Sequence, residues 1–526
     1  GGSCKEGKER VREDSVDLVT HPNVFSACDE PWSCQPLSIV VFGASGDLAK
    51  KKTFPALFDL YVDGRIGAST VIVGYARSAL SEEEFRQRLR PFLLKHGKEQ
   101  DVDDFLHVCR YRHGQYDSDE DIAAVCKELP SLHRISAGDL ENRVFYFALP
   151  PSVFPFVARS VSKVGHTEKG WLRVVVEKPF GKDTQSARDL LKVLNATFTE
   201  KEIYRIDHYL GKEMIANMIT LRFGNTFLEP LFNRNFVQCV IVTFKESFGT
   251  MGRGGYFDNY GIIRDVMQNH LMQVLSIVAM EPPVRVAGPD YSEYVRNEKV
   301  KLLDCIKPWT LDNMVLGQYV GNGTEPGYLE DETVPKGSTQ ATYCSVAMEI
   351  DNPRWEGVPF IMKAGKALDS SKAEIRIQLK RPAGSCAMFN GQEIPCNELV
   401  IALQPDPSIY MKTNVKQPGL HTVVTQSELD LDYRNRYKDV QMYDAYTRLI
   451  LDVLRGKQAT FVRDDELLAA WKICTPVLHK IENEKIKPIP YKYGSRGPPE
   501  SDELIKKRGY IRNPNYADNW RAAAGK

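Results

Sequence analysis

Between residues 37 and 207, short β-branched runs alternate with stretches of helical period. No other feature constrains the fold as much. "LSIVVFG", "STVIVGYAR", "RVFYFALPP", "LRVVVEKPFG" and "IYRIDHYLG" read as strands. Two of them, "RVFYFALPP" and "LRVVVEKPFG", show no alternation of polar and apolar residues, the pattern of a strand covered on both faces. Between the strands lie "AKKKTFPALFDLYVDG", a helix ending at Gly64, a long charged stretch over 81–140 that is helical by pattern, and "DTQSARDLLKVLNATF", capped by Asp183. Strands separated by helices predict a parallel, doubly wound sheet.

The character changes after about Gly211. A helix over 212–223 precedes the strand "VQCVIVTFKES", and a long apolar helix follows over 262–280. Beyond Ser338 come "YCSVAMEID", "VPFIMKAG", "AEIRIQLKR" and "ELVIALQP", strands joined by short connections, which predict a large, mostly antiparallel sheet. Two further helices are expected, over 444–455 and from 465 to about 474.

At 526 residues the chain is too long for one hydrophobic core, so two or three domains are expected. Its 69 basic and 69 acidic residues cancel, leaving no net field to recruit nucleic acid or an anionic membrane. The helix over 262–280 carries Arg, Asp, Asn, His and Gln and is too polar for lipid. Eleven scattered cysteines without a C-x-x-C pair suit a reduced compartment, and no secretory h-region is legible in the first 36 residues. A cytoplasmic location is expected. Cys4, Cys28 and Cys34 cluster near the N-terminus and read as unpaired thiols in a loose arm, with a redox-active cluster as the alternative.

"SIVVFGASGDLAKKK" (38–52) carries the first candidate site. The dinucleotide fingerprint G-x-G-x-x-G is broken here, because Gly43 and Gly46 flank Ser45 where the middle glycine belongs. Glycine still lets the backbone approach a phosphate at a helix start, and Ala49 permits close helix–strand packing. On its own the turn is equally an ordinary strand-to-helix connection. The second strand decides, since "GYARS" puts Arg77 where an NAD site has its ribose-binding acid, and a guanidinium grips a 2′-phosphate. The turn therefore reads as an NADP+ site.

"YRIDHYLGKE" (204–213) concentrates Asp207, His208, Tyr209 and Lys212 at a strand end and helix start, donors suited to a phosphate monoester. On the helix over 262–280, Asp265 and Asn269 are four residues apart and His270 follows them. A lone histidine on an apolar helix is commonly a satisfied core residue. The polar neighbours favour function, and a carboxylate brought by the fold would fix its tautomer.

GASGDLAKKK, GYARS, EKPFG, RIDHYLGKE, FKESFGT, GRGGYFDNYGIIRDVMQNH and GKAL, in this order, resemble the glucose-6-phosphate dehydrogenase family from about 37 to 497. A flexible arm is expected over 1–36 and a tail over 516–526, and the resemblance implies an NADP-binding Rossmann-like domain over 37–207 and a β+α substrate and oligomerisation domain over 208–515. It implies oxidation of glucose 6-phosphate by NADP+ in a homodimer or homotetramer. By position, His270 matches the general base and Asp207 its carboxylate, while His208, Tyr209 and Lys212 match the phosphate group. Lys178 matches a lysine contacting sugar and cofactor, and Glu246, Asp265, Lys366 and Gln404 match residues lining the sugar. Gly43, Ser45, Gly46, Asp47, Leu48, Lys52 and Arg77 match the NADP+ binders.

Two positions depart from the family. Ser371 stands where relatives have a second basic residue after GKAL. Animal members bind a further, structural NADP+, whose residues Lys372, Arg376, Tyr410, Lys412 and Arg496 resemble, but Ala402 replaces an arginine and leaves that site open. Two other readings compete: a broader hexose or hexose-phosphate dehydrogenase, and a catalytically silent nucleotide sensor on the same fold.

Overall fold

The computed structural model describes residues 31–513 apart from 68, 137, 286, 390, 421 and 422. Cys4, Cys28, most of the expected arm and the tail over 516–526 lie outside the described residues. Cys34 closes a short 3₁₀ turn, Pro31–Cys34, and is exposed.

Six strands form the first sheet: β1 (Leu37–Phe42), β2 (Thr70–Ala76), β3 (Cys109–His113), β4 (Asn142–Phe147), β5 (Leu172–Val176) and β6 (Ile203–Arg205). All neighbours are parallel, in the order β3-β2-β1-β4-β5-β6. The order reverses between β1 and β4, which opens a crevice at the carboxyl ends of the strands. Every residue of β1 is buried. Val40 and Phe42 enter one core, Ile39 and Val41 the other, as the two-residue period of a strand requires.

The stretch over 81–140 is not wholly helical, since β3 interrupts it. This edge strand, "CRYRH", buries Cys109 and Tyr111 and turns Arg110 and Arg112 outward. Two arginines in five residues weaken the strand signal, and only pairing with β2 makes it a strand.

The second sheet has nine strands, adding β7 (Val237–Lys245), β8 (Met314–Val320), β9 (Tyr343–Met348), β10 (Phe360–Gly365), β11 (Lys372–Leu379), β12 (Glu398–Gln404), β13 (Ser408–Lys416), β14 (Val424–Asp432) and β15 (Ile489–Lys492). Their order is β14-β13-β12-β11-β7-β10-β9-β8-β15. Neighbours are antiparallel except β7 with β10 and β8 with β15.

One apolar core joins a face of the first sheet (Val40, Phe145, Val174) to the second sheet (Val240, Val242, Ile375). The opposite face of the first sheet is covered by helix Phe54–Val62 and by helix Ala445–Arg455, which returns from far along the chain to bury Leu449, Ile450, Val453 and Leu454 there. Burying one such leucine contributes about 1.5–3 kcal/mol. Helix Asp464–Asn483 runs through Pro476, nine residues past the expected end near 474, because Val477 and Leu478 still find buried partners. The helix expected over 262–280 is a π-helical stretch, Ile263–Leu271, continued by the α-helix Met272–Ala279.

Candidate active site

The glycine turn follows β1 at the sheet's reversal point. Gly43 has φ of 80°. A Cβ there would lie 2.2 Å from the Ala148 carbonyl oxygen, so only glycine fits between β1 and the end of β4. The Gly43 and Ala44 amides donate to the Tyr75 carbonyl at 2.8 and 3.2 Å, and the chain is helical from Asp47. Helix-start amides at such a turn have no partners within the helix and suit a phosphate. Arg77, just past β2, is exposed beside the Tyr116 ring at 5.4 Å and has no carboxylate partner among the described residues. Ser45 hydrogen-bonds Ser78 at 3.2 Å. An anionic dinucleotide bearing a 2′-phosphate fits these residues.

Other expected cofactor residues are engaged within the chain. Asp47 pairs with Lys50 and Lys51, and Leu48 packs on the core. Lys52 Nζ reaches Asp444 at 3.0 Å.

β6 ends at Arg205, and the chain turns so that the Asp207 carboxylate meets helix Ile263–Leu271. His270 Nδ1 and Asp207 Oδ1 are 2.6 Å apart, both residues buried. The Tyr209 amide donates to the same oxygen at 3.0 Å. Burial pushes the Asp207 carboxyl up, but the His270 charge and hydrogen bond outweigh it, and the carboxyl is held down at about 2. Burial likewise lowers His270 below its ordinary value, against the opposing pull of Asp207. The pair at neutral pH is thus a carboxylate and a neutral imidazole with Nε2 unprotonated, a base.

His208 and Tyr209 flank that imidazole, with ring centroids 4.4 and 4.6 Å from His270. Burial, and then the charge on His270, push His208 well below its usual range, so it is neutral. Lys212 precedes helix Glu213–Phe223, and its Nζ donates to Gln404 Oε1 at 2.7 Å. Tyr209 Oη, beside His270, is buried without a hydrogen-bond partner among the described residues, which leaves it free to donate to a polar ligand.

Around this group Lys178 Nζ contacts Asp265 through its carbonyl (2.9 Å) and carboxylate (3.4 Å), and Lys366 pairs with Glu246. The fold therefore brings together Lys178, Asp207, His208, Tyr209, Lys212, Asp265, His270 and Gln404 from four separate segments. Ser371, in place of a basic residue, hydrogen-bonds Ser247.

Three neighbours were missed by sequence reasoning. Tyr446 lies parallel to the His208 ring at 5.9 Å, and Asp444, which caps helix Ala445–Arg455, faces Lys52. The only sequence signal for Asp444 is its cap position. Glu177, next to Lys178, is buried against Tyr146 Oη at 2.6 Å, and burial pushes its carboxyl up to about 7.

Of the candidates for a structural NADP+, Lys372 pairs with Glu374, Arg376 with Glu374 and Glu398, Lys412 with Glu398, and Arg496 with Asp502. Arg376 and Lys412 line a cavity of about 370 Å³. Ala402, on β12, adds no charge to the cluster.

The family models "Glucose-6-phosphate dehydrogenase, NAD binding domain" and "Glucose-6-phosphate dehydrogenase, C-terminal domain" match residues 40–217 and 219–521. The chain belongs to the glucose-6-phosphate dehydrogenase family. This family member is 51% identical over 522 residues to a Solanum tuberosum protein named "Glucose-6-phosphate 1-dehydrogenase, cytoplasmic isoform", covering 98% of each chain. It is 49% identical over 493 residues to the Dictyostelium discoideum "Glucose-6-phosphate 1-dehydrogenase", covering 93% of this chain and 97% of the relative. A solved glucose-6-phosphate dehydrogenase "in complex with its substrate glucose-6-phosphate" superposes with a TM-score of 0.86 at 46% identity, covering 91% of this chain and 99% of the other. The Mycobacterium avium glucose-6-phosphate 1-dehydrogenase structure gives 0.79 at 30% identity, over 92% of this chain and all of the other. Among the described residues no helix is long and apolar enough to cross a membrane.

Proposed function

We propose that the chain oxidises glucose 6-phosphate at C1 to 6-phosphogluconolactone as an NADP-dependent dehydrogenase, the first step of the oxidative pentose phosphate pathway. The observation that carries the assignment of roles is a buried, neutral His270 held on Asp207, beside a buried Tyr209 hydroxyl without a partner among the described residues. His270 Nε2 takes the proton of the C1 hydroxyl, and Asp207 stabilises the resulting imidazolium and fixes the ring. Tyr209, Lys212 and neutral His208 bind the phosphate as hydrogen-bond donors. Lys178 and Asp265 hold each other at the sugar's edge, with Glu246, Lys366 and Gln404 around it. NADP+, bound by Gly43, Ser45, Gly46, Asp47, Leu48, Lys52, Lys178 and Arg77, supplies the hydride acceptor.

The relatives' names support a cytoplasmic enzyme, which we propose to be a homodimer or homotetramer with its domains at 37–207 and 208–515. The reading is tested by following nicotinamide reduction with glucose 6-phosphate and with glucose. Two or three charge-assisted contacts of about 1.5 kcal/mol each imply a preference of about a hundredfold or more in kcat/KM for the phosphorylated sugar. Lys212→Ala is expected to erase much of that preference. Similar kcat/KM for both sugars in the wild-type protein would establish a broader hexose dehydrogenase instead.

A further inference from the structure

His270 is the eighth of nine residues in the π-helical stretch Ile263–Leu271. A π-helix pairs each amide with the carbonyl five residues back, and π-helical segments inside α-helices are rare and recur at functional sites. Across the turn that ends at His270, the groups in question are the Asp265 carbonyl and the His270 amide. Both have side-chain partners. Lys178 Nζ donates to the Asp265 carbonyl at 2.9 Å, and the His270 amide donates to Asn269 Oδ1 at 2.7 Å. Asn269 reaches back as well, its Nδ2 donating to the Arg264 carbonyl at 3.1 Å, five residues earlier. One side chain thus bonds backbone at both ends of the wide turn.

The register matters because the dyad depends on it. An α-helical register would pair the His270 amide with Val266, one residue on, and one residue of an α-helix is about 100° of rotation. A swing of that size takes the imidazole off the Asp207 carboxylate, now 2.6 Å away. Gln268, on the same turn, does not share the task, since its amide nitrogen is buried without a partner among the described residues.

We propose that Asn269 is the positioning residue that holds this stretch in its π-helical register and so keeps His270 on Asp207. The proposal rests on the reading of His270 as the base, and adds that the base is placed by its own neighbour's amide, with Lys178 bracing the opposite carbonyl. Asn269 does not touch the reacting atoms in this scheme. It acts through the backbone of His270.

Asn269→Leu and Asn269→Asp test this, with His270→Asn as reference. A misplacement of the base costs about a hundredfold, so Asn269→Leu should lower kcat by about that much. The KM values for glucose 6-phosphate and NADP+ should stay within about threefold, and Tm should be unchanged or raised, because the α-helical register is the commoner arrangement. The acid limb of kcat should move to lower pH as His270 loses Asp207. Asn269→Asp keeps the acceptor for the His270 amide but loses the donor to the Arg264 carbonyl, so its kcat should fall between those of Asn269→Leu and wild type. A crystal structure of Asn269→Leu should show an α-helical turn with His270 displaced. A kcat within threefold of wild type for Asn269→Leu, while His270→Asn is inactive, overturns the proposal and leaves the base standing. A lowered Tm with both KM values raised also overturns it, as the mark of a purely structural residue. An active His270→Asn removes the reading beneath it.

Discussion

Replacing Asp207 by asparagine isolates one charge in an otherwise conserved geometry. The asparagine Oδ1 can still accept from His270 Nδ1 and from the Tyr209 amide, the two bonds at 2.6 and 3.0 Å. What disappears is the carboxylate's attraction for the imidazolium formed as the C1 proton arrives. With charge centres about 4 Å apart and an effective dielectric of about 20, that attraction is about 4 kcal/mol. Full proton transfer in the transition state would forfeit all of it, about a thousandfold in rate, and half transfer about thirtyfold. Asp207→Asn should therefore lower kcat about 30- to 1000-fold at saturating substrates, measured as NADPH absorbance from pH 5 to 9, with KM for glucose 6-phosphate little changed. The direction of the pH shift is a second check. Asp207 raises the His270 pKa, so its removal lowers it, and the acid limb of kcat should move to lower pH. A kcat within threefold of wild type, or an acid limb displaced upward, would refute the reasoning.

Arg77→Ala should raise KM for NADP+ about ten- to a hundredfold and leave NAD+ nearly unaffected, because a charge-assisted contact to the 2′-phosphate is worth about 1.5–3 kcal/mol. An equal loss for both cofactors would assign Arg77 to the Tyr116 ring instead. Stability should depend on His208 and His270, both lowered by burial and neutral in the fold. The unfolded chain protonates them near pH 6.5 and the native state only further down, so their contribution is full above that value and shrinks as pH falls, by up to about 1.4 kcal/mol per unit for each. Glu177, raised by burial to about 7, opposes them by gaining stability as pH falls. Tm should therefore drop from pH 7.5 to 5.5 more steeply in Glu177→Gln than in wild type and less steeply in His270→Asn, and a flat Glu177→Gln profile would count against two buried neutral histidines.

The parts of the site legible in the sequence are those written in consecutive residues. Asp207, His208, Tyr209 and Lys212 fall within six positions, and the turn at Gly43 with Arg77 after the next strand needs only the order of two elements. What stayed hidden depends on packing between distant segments. Tyr446 reaches His208 only because helix Ala445–Arg455 folds back over the first sheet, and Lys52 meets Asp444 for the same reason. The strand Cys109–His113 was missed because its arginines carry a surface pattern and its pairing supplies the rest. The π register of Ile263–Leu271 escapes any reading by α-helical period. On that period Asp265 and Asn269 form one face, whereas in the structure Lys178 takes the first and the His270 amide the second.

The late return of helix Ala445–Arg455 also bears on how the protein is made. The last strand of the parallel sheet leaves the ribosome about 240 residues before the helix that covers it. At translation rates of about 5–20 residues per second, one face of the nascent sheet waits about 12–48 s for its cover. During that interval the surface around Ile39, Val41 and Val144 is partly uncovered, the kind of surface that chaperones bind. A ribosome pausing downstream of β6 would prolong this vulnerable stage, and one pausing beyond Arg455 would not.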